Sequence, residues 1–371
     1  MKIKRTISIS LTIVLTMGIL SMAQACSYCK LPSLSSFYSS LGIVSTAHAK
    51  EAGKPALPPT PYMGGPVELG TAPNGAITNK RILDGIEKVA WLEPTIEEPA
   101  DGIWVFGGYG LAPISIIDTN EGLIAFDTGD TKHDGEILLE AIRTVTDKPV
   151  KAIIYGHSHT CFGAGVLAEG NKDVMVIGHP NLNDVVEANM KAAGFPAYFP
   201  EIGPYLTARG LIQFNAFMPD EGPDAWAVPT TLPEDFTLAY LPVNTPVEDG
   251  QEMTVLGQKM QFFTKYGSDD KVHTTVWLPD RKILFTTMLW SSPPQLYSVR
   301  GDVFRDPREW IEGLKFNRNL EPEVLISAAA RPVVGKEEVR KRLEGYLDGA
   351  SFVLDQSCLL YTSDAADDLV S

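Results

Sequence analysis

An α/β fold of the αββα kind, two mixed β-sheets packed face to face with helices outside, is what this 371-residue chain predicts. Two observations lead there. Short β-rich runs fall into two groups separated by a Pro-, Gly- and aromatic-rich stretch at 195–235, and each group is interleaved with or followed by amphipathic helical patterns. Strands that must bury one face against each other and the second under helices settle into such layers. With 44% hydrophobic and 21% charged residues, the chain carries enough apolar surface for one large domain or two smaller ones.

The elements follow in order. Residues 1–25 have a basic start (Lys2, Lys4, Arg5), an apolar run from Ile7 to Met22 and the small-x-small site Ala23-Gln24-Ala25. That is the pattern of a secretory signal peptide, which predicts a secreted or periplasmic protein. The apolar run is short for a span and broken by Ser and Thr, so no transmembrane anchor is expected. Cys26, directly after the cut, also fits lipid attachment, although Ala23 stands where that motif normally carries Leu. A second cut is available at Ala47-His48-Ala49. Cys26 and Cys29 form a C-x-x-C pair in a Ser-rich leader with no βαβ context, so they are read as leader rather than as a redox motif. Residues 26–100 are read as this leader and an arm wrapping the core, with a helical pattern over Lys80–Leu92.

The predicted domain covers residues 101–335. Ile103–Phe106, Ile114–Ile117 and Leu123–Phe126 are short β-rich runs broken by Gly-Gly and Thr-Asn-Glu-Gly turns, which predicts a meander. Asp127-Thr128-Gly129 closes the third. A helix over Asp134–Val145, a strand over Val150–Tyr155, a strand over Val174–Ile177 and a helix over Asn183–Ala193 come next. The 195–235 stretch reads as a loop over one face, of the kind that shapes a substrate entrance. Its Phe217 and Trp226 suit either an apolar wall or plain packing. Strands return at Phe236–Leu241, Met253–Leu256, Lys259–Phe263, Val272–Leu278 and Lys282–Met288. Helices over Pro307–Phe316 and Lys336–Leu347 flank a short strand at Glu323–Ile326. From Ser357 the trends break: residues 357–371 resemble translated adaptor sequence and are read as a non-native tail.

A formal net charge of −15 argues against nucleic acid or an anionic membrane as partner, because both repel an acidic surface. The expected partner is a small molecule. Four cysteines, Cys26, Cys29, Cys161 and Cys358, are too few and scattered for a disulfide framework.

Chemistry concentrates in Tyr155-Gly156-His157-Ser158-His159-Thr160-Cys161-Phe162-Gly163. Its two histidines follow a buried strand into a loop, the place where open sheets bind their ligands. On a turn, both imidazoles can converge on one ion.

Strand, Asp127-Thr128-Gly129, helix, strand, His157-x-His159 and the later strand pair together resemble the metallo-β-lactamase superfamily, and specifically its alkylsulfatase branch. Val185–Asn189, Val276–Pro279, Leu296–Gly301 and Arg342–Asp348 are similar to alkylsulfatase segments. The resemblance covers roughly residues 103–356, and residues 336–356 would open that family's helical dimerisation region, which allows a homodimer in a full-length protein. It implies the metallo-β-lactamase fold, hydrolysis of alkyl sulfate esters, and a pair of zinc ions held by H-x-H-x-D-H, acids on later strands and a late His.

Carried over residue by residue, this implies His157 and His159 as metal ligands, neutral imidazole being a good zinc donor. Cys161 and Phe162 stand where the loop's remaining ligands are expected, and of the two only Cys161 offers a donor, as a thiolate ligand or a buried filler. Asp269 matches the first later acid, while the second falls on Thr287 and the late His on Ala328-Ala329-Ala330. His273 could compensate if it points inward. Asp127 is expected to hydrogen-bond the metal loop and His179 to line the pocket, with plain structural roles as the alternatives. Arg209 and Arg300 are the nearest candidates to bind a sulfate group. The donors present suit one zinc ion better than two, and the competing reading is a degenerate binding module with none.

Overall fold

The computed structural model describes residues 67–192, 212, 218–227, 237–291, 296 and 305–368. The leader, its candidate signal peptide, and Cys26 and Cys29 lie outside them. A small hairpin, β1 (Leu69–Thr71) and β2 (Ile77–Asn79), leads into α1 (Lys80–Ile86). This helix is shorter than its sequence pattern suggests: it ends just past Gly85, and the amides of Lys88, Val89 and Ala90 close turns on Gly85 and Ile86.

The two expected sheets are present. The first orders seven strands as they occur in sequence: β3 (Thr95–Ala100), β4 (Ile103–Gly107), β5 (Ile114–Thr119), β6 (Gly122–Phe126), β7 (Val150–Ile154), β8 (Met175–Gly178) and β9 (Thr245–Pro246). Pairing is antiparallel from β3 to β6 and parallel from β6 to β9. The parallel half is made by crossovers containing α2 (Lys132–Arg143), α3 (Ala164–Leu167) and α4 (Leu182–Ala192). The second sheet runs β10 (Gln251–Val255), β11 (Gln258–Phe263), β12 (Thr275–Leu278), β13 (Ile283–Trp290) and β14 (Val324–Val334). Its helices are α5 (Pro307–Asn319) and α6 (Lys336–Asp368).

Side-chain alternation assigns each strand residue to a layer. Ile124, Phe126, Ala152 and Ile154 point between the sheets, where they meet Phe262, Val276, Ile283 and Phe285. Their neighbours Leu123, Ala125, Ile153 and Tyr155 point outward under Leu138, Ile142, Leu167 and Val186. On the second sheet Trp277, Leu284 and Leu325 turn outward beneath Trp310, Leu314, Val339 and Leu343. Strands buried on both faces read as continuous apolar runs for this reason. Each such side chain withdrawn from water contributes about 1.5–3 kcal/mol.

Several boundaries differ from the sequence reading. The first sheet begins at Thr95, inside the stretch read as an arm. β3 carries Pro99 and a register shift between Glu97 and Ala100, both tolerated at a sheet edge. The strand expected at Phe236–Leu241 is absent over 237–241, where the chain is irregular and ties to the histidine loop through Ala239 N–H to Phe162 O at 2.7 Å. β12 starts at Thr275 rather than Val272, because the residues before it form the site loop. β14 is longer than expected, and α6 continues without a break through Ser357 to Asp368. No Gly or Pro follows Gly349 in that stretch to stop it, and the described side chains beyond Ser351 are mostly exposed.

Candidate metal centre

The site sits where the parallel strands of the first sheet end, closed from the other side by the loop between β11 and β12. Asp127 follows β6 with φ +64°, a left-handed conformation that Asp tolerates better than most residues. Its Oδ1 accepts a 2.8 Å bond from the Gly156 N–H, so it holds the start of the histidine loop. Burial pushes its pKa up to about 7, against that hydrogen bond.

His157, His159 and Asp269 each offer one ligand atom, and these atoms lie within 4.8 Å of one another. Ligands around a tetrahedral zinc are roughly 3.3 Å apart, given Zn–N near ~2.0–2.1 Å; His159 Nδ1 and Asp269 Oδ2 are already at 3.5 Å. Only small side-chain adjustments would close the three on one ion. His157 and Asp269 are buried and His159 is partly exposed, which leaves an open side. Burial drives the His157 pKa down to about 3, outweighing the pull of Asp269, so its imidazole is neutral. Thr160 Oγ1 lies 3.2 Å from His157 Nδ1, leaving the second ring nitrogen for a ligand. For Asp269, burial would raise the pKa, but the His273 contact and the neighbouring histidines hold it well below the usual carboxylate range. Its Oδ2 is buried without a hydrogen bond. With His159 Nδ1 at 3.5 Å and Arg305 Nη2 at 3.9 Å but no hydrogen bond, this ionised oxygen keeps a coordination position that a divalent ion would fill, so the donor set fits one.

The other expected residues separate. Cys161 is fully buried in the helix-side core of the first sheet with Leu138 and Ala164, and its Sγ contacts Ser158 O at 3.1 Å. Burial and then Asp127 raise its pKa well above the ordinary thiol value, so a neutral filler suits this environment better than a thiolate. His273 points inward, with Nε2 3.4 Å from Asp269 Oδ1 and 3.3 Å from the Asp270 amide, and Nδ1 hydrogen-bonded to Thr287 Oγ1. With both nitrogens engaged, it is placed to orient Asp269. His179 is half-buried, and its Nδ1 accepts from Asn181 N–H at 3.1 Å at the start of α4. Arg209, Arg300 and Phe217 lie outside the described residues. Trp226 is 47% exposed, and its carbonyl accepts from Asn74 beside the β1–β2 hairpin.

Comparison with known proteins adds the family context. No family model matches the chain. It is 28% identical over 247 residues to a linear primary-alkylsulfatase of Pseudomonas sp., covering 65% of this chain and 46% of that protein. An alkyl/aryl-sulfatase of Saccharomyces cerevisiae is 24% identical over 281 residues, covering 71% of this chain and 42% of that protein. The solved stereoselective inverting sec-alkylsulfatase Pisa1 from Pseudomonas sp. superposes with a TM-score of 0.58 at 22% identity, covering 73% of this chain and 43% of that one. The chain is similar in sequence to alkylsulfatases and shares the fold of a solved one. It spans less than half the length of the curated relatives it matches.

In this alkylsulfatase-like chain, the positions read as lost ligands are occupied otherwise. Phe162 packs toward Tyr240, ring centroids 6.2 Å apart. Thr287 is engaged by His273, and Ala328 and Ala330 are core residues of β14. Sequence reasoning missed Ser158, Thr160, Asp270 and Arg305. Ser158 N–H donates to Asp270 Oδ2 at 3.0 Å and its hydroxyl donates to the same oxygen. Arg305, 2% exposed, places Nη2 3.9 Å from Asp269 Oδ2. The signals available were the paired acids Asp269-Asp270 after Gly267, and an arginine directly before the Asp306-Pro307 helix start.

Proposed function

We propose that this chain is a metal-dependent hydrolase of alkyl sulfate esters that works with one divalent ion, zinc by ligand type, held by His157, His159 and Asp269. The observation that carries the reading is the convergence of those three donors at the strand ends of an alkylsulfatase-like fold. When bound, the ion supplies Lewis-acid activation of water and stabilises developing negative charge. The chain's own residues prepare for it. His157 is kept neutral by burial, Asp269 is kept ionised by its histidine neighbours, and Asp127 and Thr160 fix the loop that carries the imidazoles. Arg305, with Arg300 and Arg209 from sequence context, supplies cationic donors suited to a sulfate group. Overall, water adds across the ester to give an alcohol and hydrogen sulfate, which releases its proton to solvent.

The second reading is a binding module that keeps the pocket without the chemistry. The occupation of Phe162 and Thr287 by packing and hydrogen bonding favours it. Elemental analysis after growth with zinc, combined with hydrolysis of a dodecyl sulfate panel, separates the two. Absence of both metal and turnover sinks the enzyme. The leader supports export to the periplasm or medium, and among the described residues no helix is long and apolar enough to cross a membrane. Helix α6, from Lys336 on, is the segment proposed to pair with a second copy in a longer protein.

A further inference from the structure

His157 and His159 come from the first sheet and Asp269 from the second, so the three donors meet only if two loops more than a hundred residues apart keep a fixed separation. Two cross-loop contacts bracket His157. On one side, Thr274 N–H donates to Gly156 O at 2.8 Å. On the other, Asp270 Oδ2 receives both the amide of Ser158, at 3.0 Å, and the Ser158 hydroxyl. The second oxygen of Asp270 accepts from the amides of Lys271 at 2.6 Å and Val272 at 3.2 Å. All of its capacity is therefore spent on backbone and on the residue between the two histidines. The loop is held further by Gly267, whose N–H donates to Glu309 of α5 at 2.9 Å and whose added Cβ would meet Asp270 O at 2.4 Å.

We infer that Asp270 is a positioning residue for the metal centre: while its neighbour Asp269 faces the ion, Asp270 clamps Ser158 and sets the distance between the two halves of the ligand set. Adjacent carboxylates thereby take different tasks, one free oxygen for the ion and one saturated carboxylate for geometry. The inference rests on the metal-holding reading given above. Partners that orient metal ligands change affinity by roughly 10–100-fold when removed.

The test is zinc affinity, measured by competition with a chromophoric chelator, for the unaltered chain, Ser158→Ala, Asp270→Asn and the double variant, with melting of the metal-free forms in parallel. Ser158→Ala is expected to weaken binding by roughly 3–10-fold and Asp270→Asn by roughly 10–100-fold. The double variant should lose no more than Asp270→Asn alone, since the hydroxyl that Ser158→Ala removes acts through Asp270. Unchanged affinity in Ser158→Ala and Asp270→Asn, or fully additive losses, overturns the clamp while leaving the metal reading intact. No zinc binding by the unaltered chain overturns both. Should Asp270→Asn fail to fold, Ser158→Ala decides by itself, because it removes one hydroxyl and leaves the backbone contact.

Discussion

Gly156→Ala isolates how tightly the two sheets close over the histidine loop. A Cβ on Gly156 would lie 2.8 Å from Thr287 Cγ2, 2.9 Å from Phe126 Cζ and 3.0 Å from Asp127 Oδ2. Those three residues are at most 2% exposed, so none can swing into solvent to make room. The backbone is tied on both sides, by Gly156 N–H to Asp127 Oδ1 at 2.8 Å and by Thr274 N–H to Gly156 O at 2.8 Å. Gly156 is not in the left-handed region, and an alanine there would by itself stabilise the fold by ~0.4–1 kcal/mol through the unfolded chain. Overpacking a tight core costs ~1–3 kcal/mol, which leaves a net loss of up to about 2.6 kcal/mol, centred on about 1 kcal/mol. Because His157 is the next residue, the displaced loop should also lower zinc affinity by roughly tenfold. Urea unfolding of the chelated protein reads the first effect and chelator competition the second. A midpoint at or above that of the unaltered chain, with zinc affinity unchanged, would refute the steric reasoning.

Three further outcomes follow from the same geometry. Thr287→Val leaves His273 Nδ1 buried without its hydroxyl partner and should cost ~1–3 kcal/mol in denaturant unfolding; a neutral result would show that the contact contributes nothing. Cys161→Ala should keep zinc stoichiometry and affinity while losing about 1 kcal/mol of stability from a small core void, and loss of the metal instead would make Cys161 a ligand. Burial raises the Asp127 pKa to about 7 from its ordinary 3.8, so the folded metal-free chain binds the extra proton. Its contribution to stability is therefore best at acid pH and declines by about 1.4 kcal/mol per pH unit as pH rises from ~4 to ~7. Asp127→Asn keeps the acceptor for Gly156 and tolerates the left-handed backbone, so its stability relative to the unaltered chain should rise across that window; a difference flat with pH refutes the shift.

The layered fold was legible because strands buried on both faces are written as unbroken apolar runs, and Leu123-Ile124-Ala125-Phe126 divides alternately between two cores as period-two geometry requires. The edge strand β3 was not legible: Thr95–Ala100 includes Glu97, Glu98 and Pro99, which only an edge allows. Of the site, His157, His159 and Asp269 could be named because a strand-to-loop histidine pair and a family resemblance both point to them. Asp270, Ser158 and Arg305 could not, since their contacts join distant segments and leave no local period. Cys161 shows the limit in the other direction, for its spacing in the motif allows a ligand or a filler, and its burial in the core beneath α2 favours the filler.

Metal content of the purified chain, compared with Asp269→Ala, tests the central claim most directly. The account predicts one zinc per unaltered chain and its loss in the variant together with dodecyl sulfate hydrolysis. Zinc absent from the unaltered chain, or retained in full by Asp269→Ala, would contradict it.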